Sequence, residues 1–192
     1  MATPVEVNAD SQRGNKLNNL IAVSVALLAA FMAVTKVKDD NIVQAMLQAK
    51  SDAVDSWGEY QAKRIKHHLV ELGRDQTSAL RTTAAQNTAP LDSLVQHYES
   101  EIARYQEEEA ELQKKARAFE ALYDALNYKD DQFDLSDAAL SVCLAMLAVA
   151  ALTRKWWLLW ASWLIAVMGV VTGVAGLVGL KLHPDWLTKL LS

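Results

Sequence analysis

The sequence predicts an all-α membrane protein: three transmembrane helices and, between the first and the second, a long antiparallel coiled-coil helical hairpin. Apolar residues concentrate in three runs near the chain ends, long enough to cross a hydrocarbon core of roughly 30 Å at 1.5 Å per residue. Between Lys36 and Phe133 the chain is rich in Glu, Gln, Lys, Arg and Ala, has no proline before Pro90, and contains only Gly58 and Gly73. This is the composition of long helices. That middle part divides near 87–90 into segments of nearly equal length, 42–86 and 91–133. An antiparallel pair of such segments returns the chain to the membrane face it left.

Residues 1–16 form a tail of mixed charge, and 17–35 (LNNLIAVSVALLAAFMAVT) carry no charge and read as transmembrane helix 1. The long tail and the length of the apolar run favour a span over a cleaved leader. The extramembrane hairpin occupies 36–134. Transmembrane helix 2 covers 135–153, a short span accommodated by snorkelling or thinning. Transmembrane helix 3 covers 156–180 and opens with Trp156, Trp157 and Trp160, rings suited to the headgroup level. Residues 183–192 form an interfacial foot, with Trp186, Leu187, Leu190 and Leu191 on one face after Pro184.

Only Arg154 and Lys155 separate the last two spans, so these helices form a tight hairpin at one surface. Two positive charges in so short a loop favour the cytoplasm, which puts the N-terminus on that side and the central hairpin on the other. Each span also carries small residues at helical spacing: Ala22, Ala26, Ala29 and Ala33; Ala138, Ser141, Ala145 and Ala148; and Ala166, Gly169, Gly173 and Gly176 after Ser162. Small faces let membrane helices approach closely, and Gly169 to Gly173 is a GxxxG. The glycine face is expected to pack against the second span or a neighbouring subunit.

In the second arm, Leu91, Val95, Tyr98, Ile102, Tyr105, Leu112, Ala116, Phe119, Tyr123 and Leu126 follow alternating steps of four and three, with Glu109 at one seam position. Two apolar positions in seven is the narrow seam of a coiled coil. The first arm answers with Ile42, Met46, Ala49, Ala53, Trp57 and Tyr60, then shifts phase to Ile65, Leu69, Leu72 and Leu80, an irregularity of the stutter type. Thr88 suits an N-cap and Pro90 a first helical turn. Two arms of about 60 to 70 Å with such narrow seams bury little apolar surface, and Glu109 implies an exposed break or a polar contact with another chain. Self-association or a protein partner is therefore expected.

Candidate chemistry is sparse. His67, His68 and Glu71, with His97 and Glu101 on the other arm, place imidazoles and carboxylates one turn apart, but neither HExxH nor Glu-x-x-His is present. Residue 68 falls opposite about residue 109, far from His97, so these read as helix-surface residues rather than metal ligands. Ser136 and Asp137 read as the cap of the second span, where the helix dipole favours them. Cys143 is the single cysteine, which excludes an internal disulfide and a Cys-based zinc site. A net charge of −4 with mixed signs provides no basic stripe for nucleic acid. No catalytic, cofactor or small-molecule site is expected.

The segment MLQAKSDAVDSWGEYQAKRIKHHL and the loop LTRKWWLLW resemble a family of uncharacterised bacterial inner-membrane proteins with an N-terminal span, a charged helical middle and two C-terminal spans. The most specific part is Trp57, Tyr60, Gln61, Ala62 and Lys63, with Thr153 and Arg154 before the last span. The resemblance implies a bacterial inner membrane and no activity. The expected function is a non-enzymatic anchored protein that self-assembles or scaffolds a larger membrane complex. The alternative is a homo-oligomeric channel or sensor whose pore is lined by membrane helices, which ion flux in liposomes would distinguish.

Overall fold

The computed structural model describes residues 4–83 and 88–180, with side chains from residue 12 onward except that of Arg13. The expected foot at 183–192, with Trp186, and most of the turn before Thr88 lie outside the described residues. All regular structure among those described is helical: α1 (Pro4–Thr83), α2 (Ala89–Thr153) and α3 (Trp156–Val178). Each contains a stretch long and apolar enough to cross a membrane.

The first span and the first arm are one helix, as are the second arm and the second span. The linking residues, KVKDDN at 36–41 and NYKDDQFD at 127–134, contain neither glycine nor proline, so nothing stops the helix there. Continuity corrects the reading of Ser136 and Asp137 as a cap, because no helix starts at that point. Ser136 is buried instead, and its hydroxyl donates to the Gly169 carbonyl at 2.7 Å. Asp137 is partly exposed in mid-helix, within electrostatic reach of Lys36.

The chain forms two compact units, one of residues 46–124 and one of 1–45 with 125–192. In the second, three helix segments enclose a core that includes Leu17, Ile21, Leu140, Cys143, Leu147 and Leu159. Thr153 ends α2 and Trp156 begins α3, with Arg154 held at φ 54° to turn the chain. Residue Gly179 closes α3 in the left-handed region at φ 76°, and the next N–H, of Leu180, bonds to the Ala175 carbonyl at 2.9 Å. The Gln132 amide donates to the Leu180 carbonyl at 2.8 Å, which ties α2 to the end of α3.

The 46–124 unit is a pair of antiparallel arms. Arg81 meets Asp92, Gly73 meets Tyr98, His67 meets Glu109, Trp57 meets Glu120 and Lys50 meets Tyr123, so partners descend one arm as they climb the other. At the start of α2 the Thr88 carbonyl accepts the Asp92 N–H at 2.9 Å, and the Thr88 hydroxyl donates to the Asp92 carboxylate at 3.1 Å.

Candidate functional site

Two packing surfaces and one buried carboxyl pair carry the geometry from which a function can be argued. The first surface is the glycine face of α3. Ser162, Ala166, Gly169, Gly173 and Gly176 are all buried. A methyl group at Gly169 would come within 2.9 Å of Leu140, at Gly173 within 2.6 Å of Ser136 Oγ and 3.0 Å of the Phe31 ring, and at Gly176 within 3.0 Å of Phe133. These glycines are the hollows into which large side chains of α1 and α2 fit. The glycines stand on α3, and Ser136 and Ala139 of α2 face them. Ala22, Ala26, Ala29 and Ala33 are exposed, as are Ala138, Ser141, Ala145 and Ala148. Within the chain these two stripes make no close approach, because close packing can pair a small surface on one helix with a filling side chain on the other. Trp156, Trp157 and Trp160 are exposed, while the Trp163 indole donates to Ser24 Oγ at 3.0 Å.

The second surface is the seam of the arms. On α2 it runs through Val95, Tyr98, Ile102, Tyr105, Glu109, Leu112, Ala116, Phe119 and Tyr123, each buried or half-buried. On α1 a buried or half-buried residue recurs at 42, 46, 49, 53, 56, 60, 63, 67, 70, 74 and 77, an unbroken alternation of four and three, with 52, 57, 71, 73 and 78 half-buried beside it. There is no stutter. The phase shift expected at Tyr60 is corrected: Ile65, Leu69, Leu72 and Leu80 are more than half exposed, and the seam continues through Ser56, Lys63, His67, Arg74 and Thr77. The seam changes chemistry, from apolar to polar, without changing phase. An apolar pattern alone cannot follow it, because the polar residues there are buried by pairing.

Two of those pairs, at His67 and Lys63, span the two arms. His67 Nδ1–H donates to Glu109 Oε1 at 2.8 Å, and both side chains are largely buried. Glu109 thus finds its polar partner within the chain, which corrects the expectation of an exposed break or an intermolecular contact. Lys63 pairs with Glu108 and lies over the Tyr105 ring. The Tyr98 ring covers Gly73. Ser56, not Trp57, holds the seam position, and its hydroxyl bonds to the Asp52 carbonyl at 2.7 Å. Trp57 flanks the seam, packs edge-on against Tyr60 and donates its indole N–H to Glu120 at 2.8 Å.

The His and Glu residues weighed as ligands are spent on local pairs. His68 bonds Glu71 at 2.8 Å, Glu101 bonds Arg104 at 2.6 Å, and His97 is exposed beside Tyr98. Among the described residues no group of three or more His, Cys, Asp or Glu could hold a metal ion.

The carboxyl pair was not legible in the sequence. Asp39 is 4% exposed, and its Oδ2 accepts the Lys36 ammonium at 2.8 Å. Burial, the neighbouring Asp39 carboxyl and the charges of Asp134 and Asp131 push Asp130 up to about 6, and burial raises Asp134 as well. An aspartate in an unfolded chain titrates near 3.9, so folded Asp130 holds its proton through a window in which the unfolded chain has lost it. Its stabilising contribution is full below about pH 4 and is lost as pH rises through about 6. Asp130→Asn should therefore unfold at a higher temperature than wild type at pH 7, with the gap closing below about pH 4, since an amide carries no charge at any pH. Parallel melting curves of the two detergent-solubilised proteins test this; a gap independent of pH would show that Asp130 does not keep its proton.

The model of a family described as a domain of unknown function, DUF4337, matches residues 17–179. The chain belongs to the DUF4337 family. The DUF4337 match opens on the buried Leu17 and closes on the α3 cap Gly179, and so includes the glycine face, both arms with their seam, and the Asp39–Asp130 pair. No match is found among curated proteins or among solved structures.

Proposed function

We propose that this DUF4337 protein is a non-enzymatic, multi-pass membrane protein of the bacterial inner membrane whose coiled-coil hairpin self-associates or stabilises a larger membrane complex. The observation that carries this reading is how α1 distributes its residues beyond Ser56: Lys63, His67, Arg74 and Thr77 hold most of the seam, and Ile65, Leu69, Leu72 and Leu80 face outward. A helix that places polar residues inside and leucines outside has its packing surface directed at another protein. Mass measurement of the protein in nanodiscs tests the reading, with an assembly or a co-purifying protein as the expected result. A stable monomer that brings nothing with it would sink it.

Short-loop charge at Arg154 and Lys155 supports a cytoplasmic N-terminus and a periplasmic hairpin. Alkaline phosphatase fused within 84–90 should then be active in cells. Activity only for a fusion between Arg154 and Lys155 would reverse the orientation.

A further inference from the structure

The outer face of the first arm carries an uncharged ridge with six exposed large apolar residues. Leu47, Val54, Ile65, Leu69, Leu72 and Leu80 are each between 54% and 63% exposed. At 100° per residue they fall within a sector of about 80°, roughly opposite the seam face that carries Ser56, Tyr60 and His67. Other positions in that sector are Ser51, Gly58, Ala62 and Gln76, none of them charged. The second arm has no counterpart, since its exposed large apolar residues are Leu94 and Leu122 alone among those described between 91 and 124.

The ridge has the size of half an interface. Six side chains exposing roughly 100 Å² each give about 600 Å², at the upper end of the largest patch on a typical monomer. Two such ridges together bury about 1,200 Å², the lower bound of a stable protein–protein interface.

We infer that the ridge of α1 is the contact between two copies of this chain, paired ridge to ridge about a two-fold axis. The inference rests on the assembly reading above and gives it a partner and a surface. An uncharged ridge can face itself without like-charge repulsion, as an isologous contact requires. Copies inserted with one polarity in a bilayer are related by an axis along the membrane normal, so each ridge residue near the axis faces its own mate.

Single cysteines test this in the full-length protein reconstituted in phospholipid nanodiscs. The only native thiol, Cys143, is buried and serves as background. Under mild oxidation, Leu69→Cys and Leu72→Cys should give a disulfide-linked dimer several-fold more abundant than Glu111→Cys, which lies on the exposed face of the other arm. Equal yields at the three positions, or a cross-link to a different protein, would overturn the inference. A second variant, Leu69→Glu with Leu72→Glu, alters only exposed positions and so should leave the fold intact while abolishing the dimer. If that variant keeps the wild-type mass, copies meet elsewhere and the ridge proposal fails alone. A monomeric wild type with no co-purifying protein fails the assembly reading as well.

Discussion

Gly173→Val is expected to disrupt the three-helix unit, whereas Val174→Leu, one residue along, is expected to be silent. The first branch atom at position 173 would stand 2.6 Å from Ser136 Oγ and 3.0 Å from the Phe31 ring. Phe31 and Ser136 are held from two other helix segments, so α3 must move away from both or Ser136 must give up its bond to Gly169. Overpacking of this kind costs about 1–3 kcal/mol. Loss of a buried hydrogen bond adds about 1 kcal/mol. Val174 is 41% exposed, and a larger side chain there meets no such constraint. Unfolding of the two variants in mixed detergent separates the effects; equal midpoints would show that the α3 hollow is not a required fit.

Replacing both His67 and Glu109 by leucine is expected to leave the arms at least as stable as wild type, while either replacement alone destabilises them. Glu109→Leu strips a buried imidazole N–H of its acceptor at 2.8 Å, a loss of about 1–3 kcal/mol. His67→Leu leaves the Glu109 carboxylate, at 15% exposed, without its cross-arm donor, and breaking a buried pair from one side costs about 3–5 kcal/mol, an upper figure for a group that keeps some water. The double variant removes both obligations and supplies apolar contact at a seam position. Such exchanges are commonly neutral or stabilising by about 1–4 kcal/mol. A thermal-unfolding cycle on the four proteins measures the coupling; additive losses would mean that the two residues do not act as a pair.

Much of the helical organisation was legible because it is written in composition and period. Apolar runs of membrane length, the poverty in glycine and proline, and the four-three alternation of Val95, Tyr98, Ile102, Tyr105 and Leu112 all persist as local patterns. The first arm was harder to read. Beyond Ser56 its buried and half-buried positions hold Lys63, His67, Arg74 and Thr77, of which Lys63 and His67 pair with Glu108 and Glu109, more than forty positions away. No local pattern announces such pairing. Leucines at helical spacing do announce a face, and Ile65, Leu69 and Leu72 form one, but hydrophobic spacing cannot say which side of the helix its neighbour occupies. The same limit applied to the membrane stripes. Ala22 and Ala138 match the template for close approach as well as Gly169 does, yet only Gly169 lies beneath a side chain large enough to need it. The Asp39–Asp130 pair was invisible for a further reason: the raised pKa of Asp130 arises from burial and from a carboxyl that the fold brings beside it, and neither residue carries a mark of that alone.

The change of chemistry along the arm seam divides the hairpin by its response to salt. Met46, Ala49 and Ala53 are held by removal from water, which dissolved ions leave almost untouched. Lys63 with Glu108 and Arg81 with Asp92 are attractions between charges that water reaches, and at 0.15 M ionic strength the screening length is about 8 Å. Raising the ionic strength therefore loosens one stretch of the arms while its neighbour stays closed. Amide exchange in α1 from Lys63 to Arg81 would accelerate with added salt, and exchange near Ala49 would hold its rate.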